Sequence, residues 1–331
     1  MSAPSYLPAM TLDQYLGHLS ARHPQWHRAL DPGRLGSAAA MRRLFSPSDE
    51  FSPAGAGSSR ALRNPLVHWT GGRQLLRLAT GGASDALVLD VLGGDGPLAR
   101  AAAVRPGQVP DGLALLTGDL SGPMVAAALA HGLPAVRQSA DRLLLADGTV
   151  DAVLLAYGTH HIPSDDRPAV VAEAVRVLRP GGRVVLHDFE PHSPTAAFFR
   201  TVVDPHAAVR HDHPHFTRTE LLDLFAPHPV AVRLLDVYDP FTVRAASPEE
   251  AKAAMVDHLA ETYALTGRFA ALGPEEAWEL LVAAFDHTDH LAGLCTPLNA
   301  PARPLIGPVL DGFVAEVPRV ALVAVAEHRA R

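Results

Sequence analysis

Imidazole and carboxylate side chains crowd into three short stretches of this chain. Arg210-His211-Asp212-His213-Pro214-His215-Phe216 holds three histidines and an aspartate in seven residues. Tyr157-Gly158-Thr159-His160-His161 ends in a histidine pair, and Asp286-His287-Thr288-Asp289-His290 sets two histidines three apart. Neutral imidazoles from two segments can bind Zn²⁺ or Fe²⁺ and leave open positions for a substrate. The same rings can instead take a proton as general bases. In an extended segment His211, His213 and His215 share one side, and Pro214 discourages a helix there. His287 and His290 share a helical face. His211, His213, His287 and His290 are therefore the candidate metal ligands, with His160 and His161 the candidate bases. Chance spacing in a chain with 18 histidines is the competing reading. His206, His228, His258 and His328 are read as solvated.

The remaining composition narrows the setting. At 331 residues, 48 % of them apolar and 19 % charged, the chain suits one large globular domain with additions, or two domains. A net charge of −7 argues against nucleic acid or an acidic membrane as partner. No apolar run approaches about 18 residues, and the N-terminus lacks the basic-then-apolar layout of a signal peptide. Cys295 is the single cysteine, so no disulfide framework exists and a cytoplasmic location is expected.

The elements that must position those groups follow from patterning. Residues 1–80 read as a helical cap, opened by a capping-box spacing at Thr11 to Gln14 and broken by the turn-rich stretch 45–60. From residue 86 short apolar runs alternate with helical patterns, the spacing of a mostly parallel sheet covered by helices. That α/β core spans residues 81–245. Residues 246–316 carry two helical patterns, each opened by Pro-Glu-Glu, and read as a helical insertion over the site. Residues 317–331 supply a last core strand.

"ALVLDVLGGDGPLAR", residues 86–100, is a buried strand, a glycine-rich turn and a helix, which brings a ligand close to backbone N–H groups. Asp119 ends the second strand, 23 residues beyond Gly96, where a carboxylate can take both hydroxyls of a ribose. Ser139-Ala140-Asp141 ends the third, and "DGTVDAVLLAYG" holds the fourth. "RVLRPGG" reads as a helix stopped by Pro180-Gly181-Gly182 before a fifth strand. The glycines do not fit the G-x-G-x-x-G of dinucleotide binding.

In this order the segments resemble the class I S-adenosylmethionine-dependent methyltransferases over roughly residues 85–245. The resemblance implies a Rossmann-like sheet of seven strands with the last antiparallel. It implies cofactor contacts from Asp90, Gly93, Gly94, Gly96, Asp119, Leu120, Ala140, Asp141 and Tyr157. Leu92 stands where the family usually has glycine, so Gly93 and Gly94 must shape the turn. The "LGGDG" loop, the histidine groups and the large insertion resemble, more narrowly, the bacterial α-keto acid C-methyltransferases that make β-methylated amino-acid precursors of peptide antibiotics. That resemblance implies methylation of the β-carbon of a branched-chain or aromatic 2-oxo acid through a metal-stabilised enolate. Arg210, Arg218 and Arg244 are candidates to meet its carboxylate, and Phe198, Phe199, Trp278 and Phe285 to wall its side chain. Two alternatives stand beside it. One is a metal-free O- or N-methyltransferase with His160 or His161 as base, and the other is a cofactor-binding cyclase or regulatory module. The expected partners are a small-molecule substrate and a second copy in a homodimer.

Overall fold

A computed structural model describes residues 7, 10–35, 64–206 and 214–329. The stretch 45–60 and the candidate ligands His211 and His213 lie outside the described residues, as does Arg210.

Helices α1 (Leu12–Arg22), α2 (Pro24–Ala29) and α3 (Pro32–Leu35) open the described chain. The capping box is present: Gln14 N–H donates to Thr11 Oγ1 at 3.3 Å, and Thr11 N–H donates to Gln14 Oε1 at 2.9 Å. After α4 (Trp69–Thr80) strand and helix alternate through β1 (Leu87–Asp90), α5 (Pro97–Val104), β2 (Ala114–Asp119), α6 (Gly122–Ala130) and β3 (Ala135–Arg137). Then follow β4 (Val150–Leu155), α7 (Arg167–Arg176), β5 (Leu178–Asp188), α8 (Pro194–Phe198), α9 (Arg218–Phe225) and β6 (Val230–Tyr238). The chain then leaves the sheet for β7 (Phe241–Ala245), α10 (Pro248–Thr262), α11 (Thr266–Ala284), α12 (Thr288–Ala292), β8 (Leu305–Val309) and β9 (Gly312–Val317). It returns as β10 (Val320–His328).

The main sheet runs β3-β2-β1-β4-β5-β10-β6, with β1 to β5 parallel and β10 antiparallel to both of its neighbours. This is the expected Rossmann-like class I sheet. Both faces are buried, as parallel sheets require. Leu89, Val153, Val184 and Ala324 pack toward Phe216, Leu221 and Phe225, while Val88, Leu154, Val185 and Val323 pack toward Leu75, Leu76 and Leu98. Side-chain alternation along each strand sets the division.

Two expectations change. Pro180-Gly181-Gly182 does not stand between helix and strand, because α7 ends at Arg176 and β5 begins at Leu178. The triplet lies within β5, where the pairing with β4 slips between Val150 and Ala152, and Gly181 turns through φ +80°. Nor is the insertion wholly helical. Its β8 and β9 join β7 in a second, antiparallel sheet of three strands, ordered β7-β9-β8. Helix α10 packs on it through Met255 and Leu259, and α11 packs on α10, adding Trp278 and Leu281 to the same core. Phe198, Trp278 and Phe285 are part of that core rather than a substrate wall. No helix among the described residues is long and apolar enough to cross a membrane.

Candidate active site

The strand order reverses between β1 and β4, where doubly wound sheets open a crevice at their carboxyl ends. A cavity of about 370 Å³ lies there. One half is walled by the β1–α5 turn (Asp90, Leu92, Gly93, Gly94, Asp95) with Leu98 and Met124. The other is walled by His68, Tyr157, His160, His161, Phe199, His258, Tyr263 and Arg319.

The glycine turn is built for close approach. A Cβ on Gly93 would lie 2.7 Å from Thr117 and 3.0 Å from the Asp90 carboxylate, so glycine is required. Gly94, at φ +56°, has no atom within 4 Å of where its Cβ would stand, and its N–H donates to Asp119 Oδ2 at 2.9 Å. Asp119 Oδ1 takes the Ser121 N–H at 2.8 Å. Asp90 is buried, and that burial, with the Asp119 charge beside it, pushes its carboxyl up to about 7. Two neighbouring carboxylates at the strand ends, one of them reluctant to ionise, fit a cationic, hydroxyl-bearing ligand such as S-adenosylmethionine. Asp90, Gly93, Gly94 and Tyr157 are on the cavity wall, whereas Gly96, Asp119, Leu120, Ala140 and Asp141 lie outside it. Gly96 caps α5 at φ +81°, Leu120 is 40 % exposed, and Asp141 bonds the Ser139 hydroxyl.

A proton should therefore be linked to cofactor binding. A cation binds the ionised form of Asp90, so affinity should rise with pH up to about 7 and level off above it. The slope is at most about tenfold per pH unit. Asp90→Asn should weaken binding and flatten that dependence, as calorimetry between pH 5.5 and 8.5 would show. A wild-type affinity independent of pH would refute the link.

On the acceptor side, the chain turns sharply after β4. Tyr157 adopts φ +55°, and Thr159–His161 form a short helical turn that places both histidines on the cavity wall, ring centroids 4.4 Å apart. Beneath them Asp188, the last residue of β5, is almost fully buried. Its carboxylate accepts the Thr159 hydroxyl at 2.6 Å and its own neighbour's N–H, from Phe189, at 2.6 Å. His160 Nδ1 lies 3.3 Å and His215 Nδ1 2.8 Å from the same carboxylate. Burial works to raise the Asp188 carboxyl, but the hydrogen bonds and charges of His160 and His215 win and hold it well below the usual range. Ligand atoms of His160, Asp188 and His215 all fall within 4.8 Å of one another, the one such three-residue group among the described residues.

Buried Arg167 fixes both arms of this group. Its Nε donates to the Ile162 carbonyl (3.1 Å) just past His161, its Nη2 to the Pro214 carbonyl (2.5 Å) just before His215, and its Nη1 to Glu220 (2.6 Å). The guanidinium also stacks 3.7 Å over Phe216.

Of the proposed metal ligands, His287 and His290 are paired, ring centroids 5.9 Å apart, at the start of α12. They join no third ligand among the described residues and do not line the cavity. His287 is fully buried, with Nδ1 2.9 Å from the Phe285 carbonyl. His258, read as solvated, instead faces the cavity from α10, and burial first, then Arg319, pulls its imidazole down to about 4. Arg218 is engaged by Glu190 and Asp236, and Arg244 is exposed on β7. The arginine on the cavity wall is Arg319, which the sequence reading passed over.

The methyltransferase domain family matches residues 89–186. The demethylmenaquinone methyltransferase of Mycolicibacterium vanbaalenii is 40 % identical over 87 residues, 26 % of this chain and 36 % of that enzyme. The chain thus matches only about a third of the length of that curated relative. Among solved structures, the YcgJ protein of Bacillus subtilis aligns with 79 % of this chain and 99 % of its own at TM-score 0.47 and 16 % identity. A Haemonchus contortus phosphoethanolamine N-methyltransferase in complex with S-adenosyl-L-methionine aligns at TM-score 0.48 and 14 % identity, over 89 % of this chain and 61 % of that one. Sheet order and glycine turn thus frame a segment, residues 89–186, that matches the methyltransferase domain family.

Proposed function

We propose that this protein methylates the β-carbon of a small branched-chain or aromatic 2-oxo acid, with a divalent metal held by His160, Asp188 and His215. The observation that supports this reading is the meeting of two imidazoles and a buried carboxylate, with one of the imidazoles, His160, on the cavity wall. Such a set, with open positions left over, suits Fe²⁺ or Zn²⁺. When bound, S-adenosylmethionine supplies a methyl group on cationic sulfur, and a metal supplies a Lewis acid that polarises a keto oxygen and acidifies the adjacent C–H.

The chain's own residues do the rest. Asp90 and the glycine turn would hold the cofactor in the crevice between β1 and β4. Until a metal takes the place of their ring protons, the His160 and His215 rings are held in position by Asp188 through Nδ1. His161, on the cavity wall beside them, is placed to accept the β-proton. Phe199 and Tyr263, ring centroids 5.1 Å apart, form an apolar wall that excludes water and fixes the acceptor.

The Asp188–His160 contact supports one other reading: without a metal, the carboxylate orients His160 as the base of an O- or N-methyltransferase. Elemental analysis and chelation separate the two. Chelation is expected to cut S-adenosylhomocysteine formation from 2-oxo acids at least about 100-fold, with recovery on adding metal back. Full activity in metal-free protein would leave the second reading. Failure to form S-adenosylhomocysteine with any keto acid, phenol or amine would remove both.

A further inference from the structure

The cavity is charged at both ends, with opposite signs. Asp90 and Asp95 stand on its cofactor half. On the acceptor half stands Arg319, the single arginine or lysine of the wall among the described residues. It occupies the bend between β9 and β10 and is almost fully buried.

Arg319 is held rigidly from behind. Its Nε donates to the Asp239 carbonyl (2.9 Å), and its Nη2 donates to Asp239 Oδ2 (2.6 Å) and lies 3.2 Å from His68 Nδ1. The guanidinium carbon sits 3.8 Å above the Phe241 ring and 5.0 Å from that of Phe189. Asp239 does not belong to Arg319 alone. It also takes the Tyr157 hydroxyl (3.0 Å) and faces His187 Nε2 (3.2 Å), so its charge is divided among three partners. The positive field reaches the cavity: Arg319 lowers His68 and His258, second only to burial, and through its charge and a hydrogen bond to Tyr263 it opposes the burial that raises that phenol. His68 is thereby kept neutral, able to accept from Arg319 without competing for an anion.

We infer that Arg319 anchors the methyl acceptor by binding its carboxylate, with Asp239 and His68 as positioning residues. The inference rests on the methyl-transfer reading of this cavity but not on the metal. A guanidinium braced along one edge and flanked by aromatic rings is pre-organised to meet a planar carboxylate. The neutral histidines and tyrosines around it leave the carboxylate no competing cation on that half.

The test is calorimetry on the full chain saturated with S-adenosylhomocysteine, using phenylpyruvate and its methyl ester. Wild type should prefer the acid by roughly 10- to 100-fold, the worth of one charge-assisted hydrogen-bonded contact. Arg319→Met should erase that preference with S-adenosylhomocysteine affinity unchanged. A Met variant that keeps the preference overturns the inference. Should the Met variant fail to bind S-adenosylhomocysteine, Arg319→Lys decides. Lysine keeps the charge but loses the fork, so the acid should weaken about tenfold while the ester does not. An unchanged acid affinity there also overturns the inference. If wild type binds phenylacetate through Arg319 but no 2-oxo acid, the anion anchor stands and the 2-oxo acid reading falls. If it binds no carboxylate, the anchor falls.

Discussion

Asp188→Asn is expected to lower methyl transfer by about 10²- to 10⁴-fold, the range for losing a positioned catalytic group or its orienting partner. Four donors converge on that carboxylate: the Thr159 hydroxyl, the Phe189 N–H and one ring nitrogen each from His160 and His215. An amide turns one acceptor oxygen into a donor, so at least one histidine must swing away. Cofactor affinity should hold, because the glycine turn and Asp90 lie on β1 and its following loop. Initial rates together with cofactor titration check this, and a rate within tenfold of wild type would move the chemistry away from Asp188. The linkage sign is that of a depressed carboxyl. The stabilisation is complete above the ordinary value of 3.8 and fades only as pH falls below it. Protein at neutral pH should therefore show no titration of this group.

Arg167→Met carries the largest expected cost in stability, about 3 kcal/mol, in the range for removing one partner of a buried, hydrogen-bonded charge. Methionine fills much of the volume over Phe216 but leaves the Ile162 and Pro214 carbonyls and Glu220 without their donor. In a chain of this size that corresponds to a melting shift of roughly 4 °C. The turn carrying His160 and the segment carrying His215 should then separate, so turnover should fall while the cofactor still binds. Lysine offers a single ammonium in place of a three-way fork and should rescue little. A melt unchanged within about 2 °C, or loss of cofactor affinity equal to the loss of turnover, would show that Arg167 is not the staple.

Much of the core was readable from residue order because a parallel sheet buries both faces. "ALVLDV", "LALLT" and "DAVLLA" are almost wholly apolar, with no polar alternation, and glycines mark the turn that follows the first. The small sheet was not readable. β7 pairs with β9, about 70 residues away, and β8 contributes Leu305–Val309 with alternating partial exposure and a proline. No local pattern announces such a pairing.

The histidine site shows the same limit more sharply. Sequence spacing directs attention to pairs within one segment, such as His287 with His290. The group that assembles takes one member each from the ends of β4 and β5 and from the approach to α9. Asp188 gave no signal within "RVVLHDF" beyond being a carboxylate at a parallel strand's carboxyl end. His258 and Arg319 were missed for a related reason: their exposure depends on how the insertion folds back, which only tertiary packing determines.

The insertion leaves the main sheet after Tyr238 and returns at Arg319, and Asp239 N–H donates to the Arg319 carbonyl at 3.0 Å. Its two ends therefore meet like the jaws of a clasp. Between them lies a self-packed cassette whose core shares few members with the sheet. Because closing a longer or shorter loop changes the entropy only slowly, such a cassette can be exchanged without shifting β6 against β10. Acceptor choice can then diverge while the methyl-donor half stays as it is, so descendants of this scaffold need alter only what is threaded through the clasp.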